Sequence, residues 1–367
     1  MVYGVLVLVC CALCLLIRVP RLRRFRCVGL IAMLSMMSVV AALRSINVGT
    51  DGRMYMRLFE HPDRCLKYGF ETGYCVLDYL THWSGSYTVL LVLESVLLYA
   101  AICLFIYRYI DEQWWGFSCL MVFGTRTFFM AMNISRQYIA VALCMFAFML
   151  YERRHWKSAL GLVLLSMTIH ITSIALLLIP AVAWWRRHAR HFELQSTIVV
   201  AVAFLMQFLD YGGIINWVAG FIPKYRHYQY DSLMGNTGTS MVWVLYTLAV
   251  SAAYIVYVWR KRKSDELPRF ESESEASQPD RESPLLAGAL VYVAMTNAFA
   301  GVDTLSRMSI FFTMFFIWLL TALLDTLDGR MRVAVELLIL VASFLICYRQ
   351  VYVRGNFGVL PYKMFFE

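Results

Sequence analysis

The chain has 367 residues, of which 60% are hydrophobic and only 16% charged, a balance that excludes a soluble enzyme of ordinary composition. Apolar runs of about 17–23 residues recur along nearly its whole length, matching helices that cross a ~30 Å hydrocarbon core and not the alternating pattern of a membrane β-barrel. The net charge of +9 gathers mostly in short loops, where it sets membrane orientation and does not point to nucleic acid.

The expected fold is therefore an all-α polytopic membrane protein, a single integral domain over residues 1–367 with about 11–12 transmembrane helices. Residues 3–17 read as a retained first span, since no basic stretch precedes them and no small-residue cleavage site follows. Cys11 and Cys14 form a CxxC inside this span and read as small membrane hydrophobes, without His or further Cys at metal-ligand spacing. Arg18, Arg21, Arg23, Arg24 and Arg26 then place the first loop in the cytoplasm and the N-terminus outside. A second span, about Cys27 to Leu43, leads to a long outer loop at 44–86. Cys65 and Cys75 share that loop and can pair in an oxidising compartment.

Spans follow at about Tyr87–Tyr107, Trp114–Ala131 and Ile134–Tyr151, the last descending to the basic loop ERRHWK. The outer turn MNIS then has Arg126 about one turn below it and Arg136 about one turn beyond. The segment SALGLVLLSMTIHITSIALLLIPAVAWWRRHARH decides the topology. As one span it would put RRHAR outside and invert every later loop, including the RKRK at 260–263. A turn at His170 instead predicts two short helices of about 13–15 residues, with both basic clusters inside and His170 in a cavity on the outer side. A span at about Ser196–Asp210 opens a second outer loop at 211–240. Another at Met241–Trp259 ends in a charged, disordered cytoplasmic loop at 260–283. Spans at about Leu285–Ala300 and Met308–Leu324 turn outside through GVDTLSR, and a last span leaves the C-terminus outside. No long internal repeat supports an inverted-repeat transporter.

This topology collects the unusual polar residues at one face: Arg44, Asp51, Tyr55, Arg126, Arg136, His170, Lys224, Tyr225, Arg226, Tyr228, Asp303, Arg307, Arg349 and Arg354. Positive-inside loops leave the outer side poor in Arg, so the excess needs another account. Arginine forks bind phosphate bidentately, and several of them in a low-dielectric cavity suit a lipid-linked diphosphate. Blander readings stand beside this one. Arg44, Arg349 and Arg354 equally fit snorkelling to headgroups, and Asp51 fits a turn in GTDG. His170 fits a hydrogen-bonded hairpin residue, and Asp303 with Arg307 fits a structural ion pair. The KYRHYQY run mixes cations and aromatics as sugar sites do. No P-loop, GxGxxG, HExxH or paired Cys/His set suggests ATP, a dinucleotide or zinc, so no cofactor and no metal is expected.

RSINVGTDGRMYMRLFE resembles the "R…vGtD…Y…F" signature of EpsG/Wzy-type polysaccharide polymerases. ETGYCVLDYL resembles the segment that follows it there, ISRQYIAVAL their "lRQ.iA.al", and IHITSIALLLIP their "fH.sal..l.p". KYRHY, DTLSRMSIFF and the closing LPY are similar to later segments, so the matches cover most of the chain in order. The chain departs from the pattern in Gly52-Arg53 after Asp51 and in its long acidic linker.

The resemblance implies polymerisation of undecaprenyl-diphosphate-linked oligosaccharide repeat units at the periplasmic face of the bacterial inner membrane. It further implies a GT-C-like glycosyltransferase that works without metal. An acceptor hydroxyl would attack the anomeric carbon and expel undecaprenyl diphosphate, with Arg126, Arg136, Arg307 and Arg44 on diphosphate and His170 or Asp51 as base. Tyr55, Lys224, Tyr225, Tyr228 and Asp303 would meet glycan. The partners implied are the lipid-linked oligosaccharide and the bilayer, with a chain-length regulator and flippase of the same pathway, and no nucleic acid. A glycan ligase would use the same arginines. A flippase or exporter would need a charged path open to both sides, which this one-sided pattern disfavours.

Overall fold

The computed structural model describes residues 2–209, 240–265, 282–300 and 302–366. Among them the chain is helical throughout, with a single isolated β-bridge between Arg44 and Met364. Five described helices are long and apolar enough to cross a membrane: Pro20–Ala42, Tyr87–Tyr109, Met241–Ser264, Arg307–Asp325 and Gly329–Val353. The protein is an all-α polytopic membrane protein. Other apolar helices among the described residues are shorter: Val2–Arg18, Trp156–Ile169 and Phe192–Met206. The expected outer loop at 211–240, with Lys224, Tyr225 and Tyr228, and most of the linker at 260–283 lie outside the described residues.

The helices group into two compact units, Met1–Ile174 with Arg330–Glu367, and Ala175–Gly329. In the first unit, α1 (Val2–Arg18) stops where Val19-Pro20 turns the chain into α2 (Arg26–Ala42). The loop after α2 carries two short helices, α3 (Gly52–Glu60) and α4 (Thr72–His82), before α5 (Tyr87–Tyr109). Then come α6 (Trp115–Gly124), α7 (Thr127–Asn133), α8 (Ser135–Glu152) and α9 (Trp156–Ile169). Packed against α5, α2 buries Leu30, Met33, Leu34, Met37 and Ala41, a stripe at i, i+3, i+4, i+7 and i+11. Between α5 and α9, α8 is buried on nearly every side, and its small residues let α9 approach: the Ser166 hydroxyl donates to the Ala140 carbonyl at 3.0 Å.

One expected span is broken. The run from Trp114 to Ala131 does not continue through Arg126, which adopts a left-handed conformation at φ 67° between α6 and α7. The Thr125 hydroxyl and the Arg126 amide close the end of α6 on the Met121 and Phe123 carbonyls, at 2.7 Å each. The break expected at His170 is present. His170 is extended, with φ −154° and ψ 111°, and a tight 3-10 segment, Ile171–Leu177, follows.

The second unit holds α10 (Leu178–His188), α11 (Phe192–Met206), α12 (Met241–Asp265) and α13 (Glu282–Ala298). It continues with α14 (Asp303–Ser306) and α15 (Thr313–Asp325). Buried on most of its length, α13 packs against α10, α11 and α15. The chain then returns through α16 (Gly329–Tyr348) to the first unit, where Arg18 pairs with Glu336 while Leu337, Leu338, Val341 and Leu345 stay exposed, as a lipid-facing stripe requires.

Candidate functional site

Three helix ends meet in the first unit: the start of α4, the start of α8 and the end of α9. Cys65 and Cys75 form the disulfide that the loop permitted, and it encloses Phe70 and Glu71. Glu71 occupies the N-cap position of α4. Its carboxylate accepts a hydrogen bond from Arg136 Nη1, in the first turn of α8. The Arg136 guanidinium also lies 4.7 Å over the Phe70 ring and 5.9 Å from that of Tyr74. The other Glu71 oxygen is 3.9 Å from His170 Nδ1 at the end of α9. These three side chains keep 19%, 13% and 18% of their surface, for Arg136, Glu71 and His170 respectively, so the group is reachable by a small anion. Gly73 explains why α4 comes so close to α9. A Cβ there would overlap the Thr168 hydroxyl and sit 2.9 Å from the Thr168 carbonyl oxygen.

A second layer supports this group. Tyr55 is buried, its ring centroid 5.8 Å from that of Tyr74 and 6.4 Å from that of Phe70. Burial lifts the Tyr55 phenol above its ordinary pKa and the Arg136 charge opposes the rise, so the two groups sense each other. Tyr55, expected to meet glycan, forms part of the wall behind this group. The VGTD turn is docked on the junction of α7 and α8. The Thr50 hydroxyl donates to Asn133 Oδ1 at 2.7 Å and the Asp51 amide donates to the same atom at 3.2 Å. Gly49, at φ 101°, leaves no room for a Cβ, which would stand 2.6 Å from the Met132 carbonyl oxygen. From the other side the C-terminal tail straps the turn, its Gly358 and Phe357 carbonyls accepting the Gly49 and Thr50 amides.

A profile of the EpsG family matches residues 28–364, a span that contains every residue of this arrangement. The chain belongs to the EpsG family. That family is a Wzy-type polysaccharide polymerase family, so the protein is a membrane polymerase of the polysaccharide-biosynthesis class. No curated protein and no solved structure matches it.

The remaining residues singled out in this EpsG protein fall in different places. Arg44, expected on diphosphate, is 3% exposed, donating to the Ser135 hydroxyl at 2.8 Å and lying 3.5 Å from Glu94. Arg126 is half-buried at the far end of α7 from Asn133, and its left-handed backbone holds strain on the order of 1 kcal/mol. Arg307 and Asp303 belong to the second unit, and the Asp303 side chain lies outside the described residues. Asp51 is half-buried, with its amide engaged as above. Two acids escaped the sequence reading. Glu94 interrupts the apolar run YTVLLVLESVLL, and an acid inside a span is a signal in its own right. Glu71 sits in ETGY, where the signal was an acidic residue between two aromatics in a loop.

Proposed function

We propose that this EpsG protein polymerises undecaprenyl-diphosphate-linked oligosaccharide repeat units at the outer face of a bacterial inner membrane, on which side both termini lie. A hydroxyl of the acceptor glycan attacks the anomeric carbon of the growing chain. The bond from that carbon to the diphosphate oxygen breaks, its electron pair leaves with undecaprenyl diphosphate, and the new glycosidic bond forms. The hydroxyl proton passes to His170 and from there to water. Arg136 binds the charge that develops on the leaving group, an electrostatic stabilisation of the kind that lowers such barriers most. Arg126 and Arg307 serve as further diphosphate contacts, Asp51 is the alternative base, and Asp303, Lys224, Tyr225 and Tyr228 meet glycan. A flippase delivers the lipid-linked units and a chain-length regulator acts on the product.

The single observation behind this reading is the meeting of Arg136, Glu71 and His170 beside two aromatic rings, partly open and at the ends of membrane helices. A planar cation for phosphate, a carboxylate and an imidazole are the groups this transfer needs. Aromatic walls suit sugar rings. The Cys65–Cys75 disulfide supports an oxidising location for the same loop.

The test is complementation of a deletion strain with wild type, Arg136→Ala, His170→Ala and Asp51→Ala at matched expression, reading surface glycan length on a gel. Arg136→Ala and His170→Ala are expected to give single repeat units on the final carrier. A wild-type ladder from both would remove this site. Polymer accumulating on undecaprenyl diphosphate would make the protein a ligase.

A further inference from the structure

We propose that Glu71 is a positioning residue with two alternative partners: it occupies the Arg136 guanidinium while the site is empty, and an incoming diphosphate displaces it onto His170, which then becomes the competent base. This inference rests on the diphosphate reading of Arg136 and adds to it the coupling between donor binding and base activation.

The argument starts from a comparison of two ion pairs in the same unit. Arg44 and Glu94 are each 4% exposed, sealed from any ligand. Arg136 and Glu71 keep 19% and 13%, open enough for exchange. To a guanidinium fork, a carboxylate and a phosphate oxygen pair present the same bidentate acceptor geometry, and the phosphate bears more charge. Glu71 is therefore an internal competitor for the anion that Arg136 suits. Phe70 and Tyr74, on either side of Glu71 in sequence, face the guanidinium and fix its plane, so the exchange needs no movement of Arg136.

The second partner is already at hand. Glu71 Oε1 stands 3.9 Å from His170 Nδ1, beyond hydrogen-bond range by less than 1 Å. Rotation of the freed carboxylate closes that gap. A carboxylate on one imidazole nitrogen orients the ring and stabilises the imidazolium that forms when the other nitrogen takes a proton. The backbone is held while the side chain turns. The disulfide pins the loop before α4, and the contact of Gly73 with Thr168 pins the first turn of α4 to the last turn of α9. Glu71 would thus close from 3.9 Å to hydrogen-bond range of His170 when a donor is seated.

The experiment uses the full-length protein in lipid nanodiscs, farnesyl diphosphate as the binding probe in calorimetry, and polymer formation on lipid-linked repeat units across pH. Glu71→Gln leaves Arg136 without its internal anion, so probe binding is expected to tighten on the order of tenfold, the effect of one charge-assisted contact. Turnover is expected to fall by at least tenfold, and the acid limb of the pH profile to move to lower pH, because the imidazolium has lost its carboxylate. Weaker or unchanged probe binding, or slower turnover with an unmoved pH profile, would overturn the proposal and leave Glu71 as a brace for Arg136. If Glu71→Gln does not fold, Glu71→Asp takes its place: the shorter carboxylate withdraws from Arg136, and tighter binding with slower turnover is again expected, while binding equal to wild type overturns the proposal. Arg136→Ala separates the two levels. Loss of probe binding there with no gain in Glu71→Gln removes only the exchange, whereas equal binding by wild type and Arg136→Ala removes the diphosphate reading itself.

Discussion

Arg44 and Glu94 form a sealed ion pair: Nη2 of one lies 3.5 Å from Oε2 of the other, and each side chain is 4% exposed. The Arg44 guanidinium also donates to the Ser135 hydroxyl and the Ala41 carbonyl, so α2, α5 and α8 meet at one cation. Breaking a buried pair leaves the remaining charge without compensation, at a cost of about 3–5 kcal/mol, whereas replacing both partners by apolar groups is often neutral. Glu94→Ala and Arg44→Ala are each expected to lower the melting temperature sharply in detergent, and Arg44→Met with Glu94→Met to recover most of it. If the double variant also restores glycan polymerisation in cells, Arg44 has no part in the chemistry.

The Cys65–Cys75 bond closes a loop with a sequence separation of 10 residues around the Arg136 partners Phe70 and Glu71. Cross-linking so short a loop stabilises by roughly 2–3 kcal/mol in the chain-entropy account. Polymer formation in wild-type membrane vesicles is expected to fall several-fold when dithiothreitol is added. Cys65→Ser with Cys75→Ser is expected to start at that lower level and to ignore the reductant.

Gly73 permits the approach of α4 to α9, and Gly73→Ala forces a Cβ onto Thr168. Overpacking of this kind costs about 1–3 kcal/mol, which α4 relieves by shifting outward. The expected result is a folded protein with slow polymerisation, because Glu71 no longer reaches His170. A melting curve beside the glycan ladder checks it. Normal ladder lengths would mean that the spacing of the two helices is not critical.

Asp78 is fully buried on α4, and neither carboxylate oxygen finds a hydrogen-bond partner among the described residues. Burial pushes its carboxyl up to about 6 from an ordinary 3.8, with His82 one turn away opposing the rise. Between those two values the folded chain binds the proton that the unfolded chain has released. Stability from this group is therefore full below the unfolded value, declines as pH rises through the window and stays lower above it. Asp78→Asn removes the penalty. It is expected to gain on the order of 1 kcal/mol at pH 8 and to match wild type at pH 4. Thermal unfolding at both pH values reads the difference.

Several features were legible along the chain because they rest on sums over neighbouring residues. Hydropathy marked the membrane class, and basic loops with short apolar runs located the helix break at His170. Glycines and polar residues marked GTDG as a turn, and Arg136 stood out as a charge at a helix end. Arg126 was seen, but not the break it makes. No proline interrupts that run, and its left-handed turn is held by hydroxyl and amide bonds that local apolarity conceals.

Pairing belonged to the tertiary structure. Glu71 lies 65 residues from Arg136, Arg44 lies 50 from Glu94, and Thr50 lies 83 from Asn133. The outer-face polar residues looked like one set in sequence, yet packing sealed Arg44, buried Tyr55 in a wall and left Arg136 beside His170. By itself the sequence determined that this chain lives in a membrane, that a helix breaks at His170 and which family the chain belongs to, because hydrophobicity, charge and turn chemistry act locally. Which charge is neutralised by which acid, and which of them a ligand can reach, depends on how closely helices distant in the chain approach. Only the packed tertiary structure decided that.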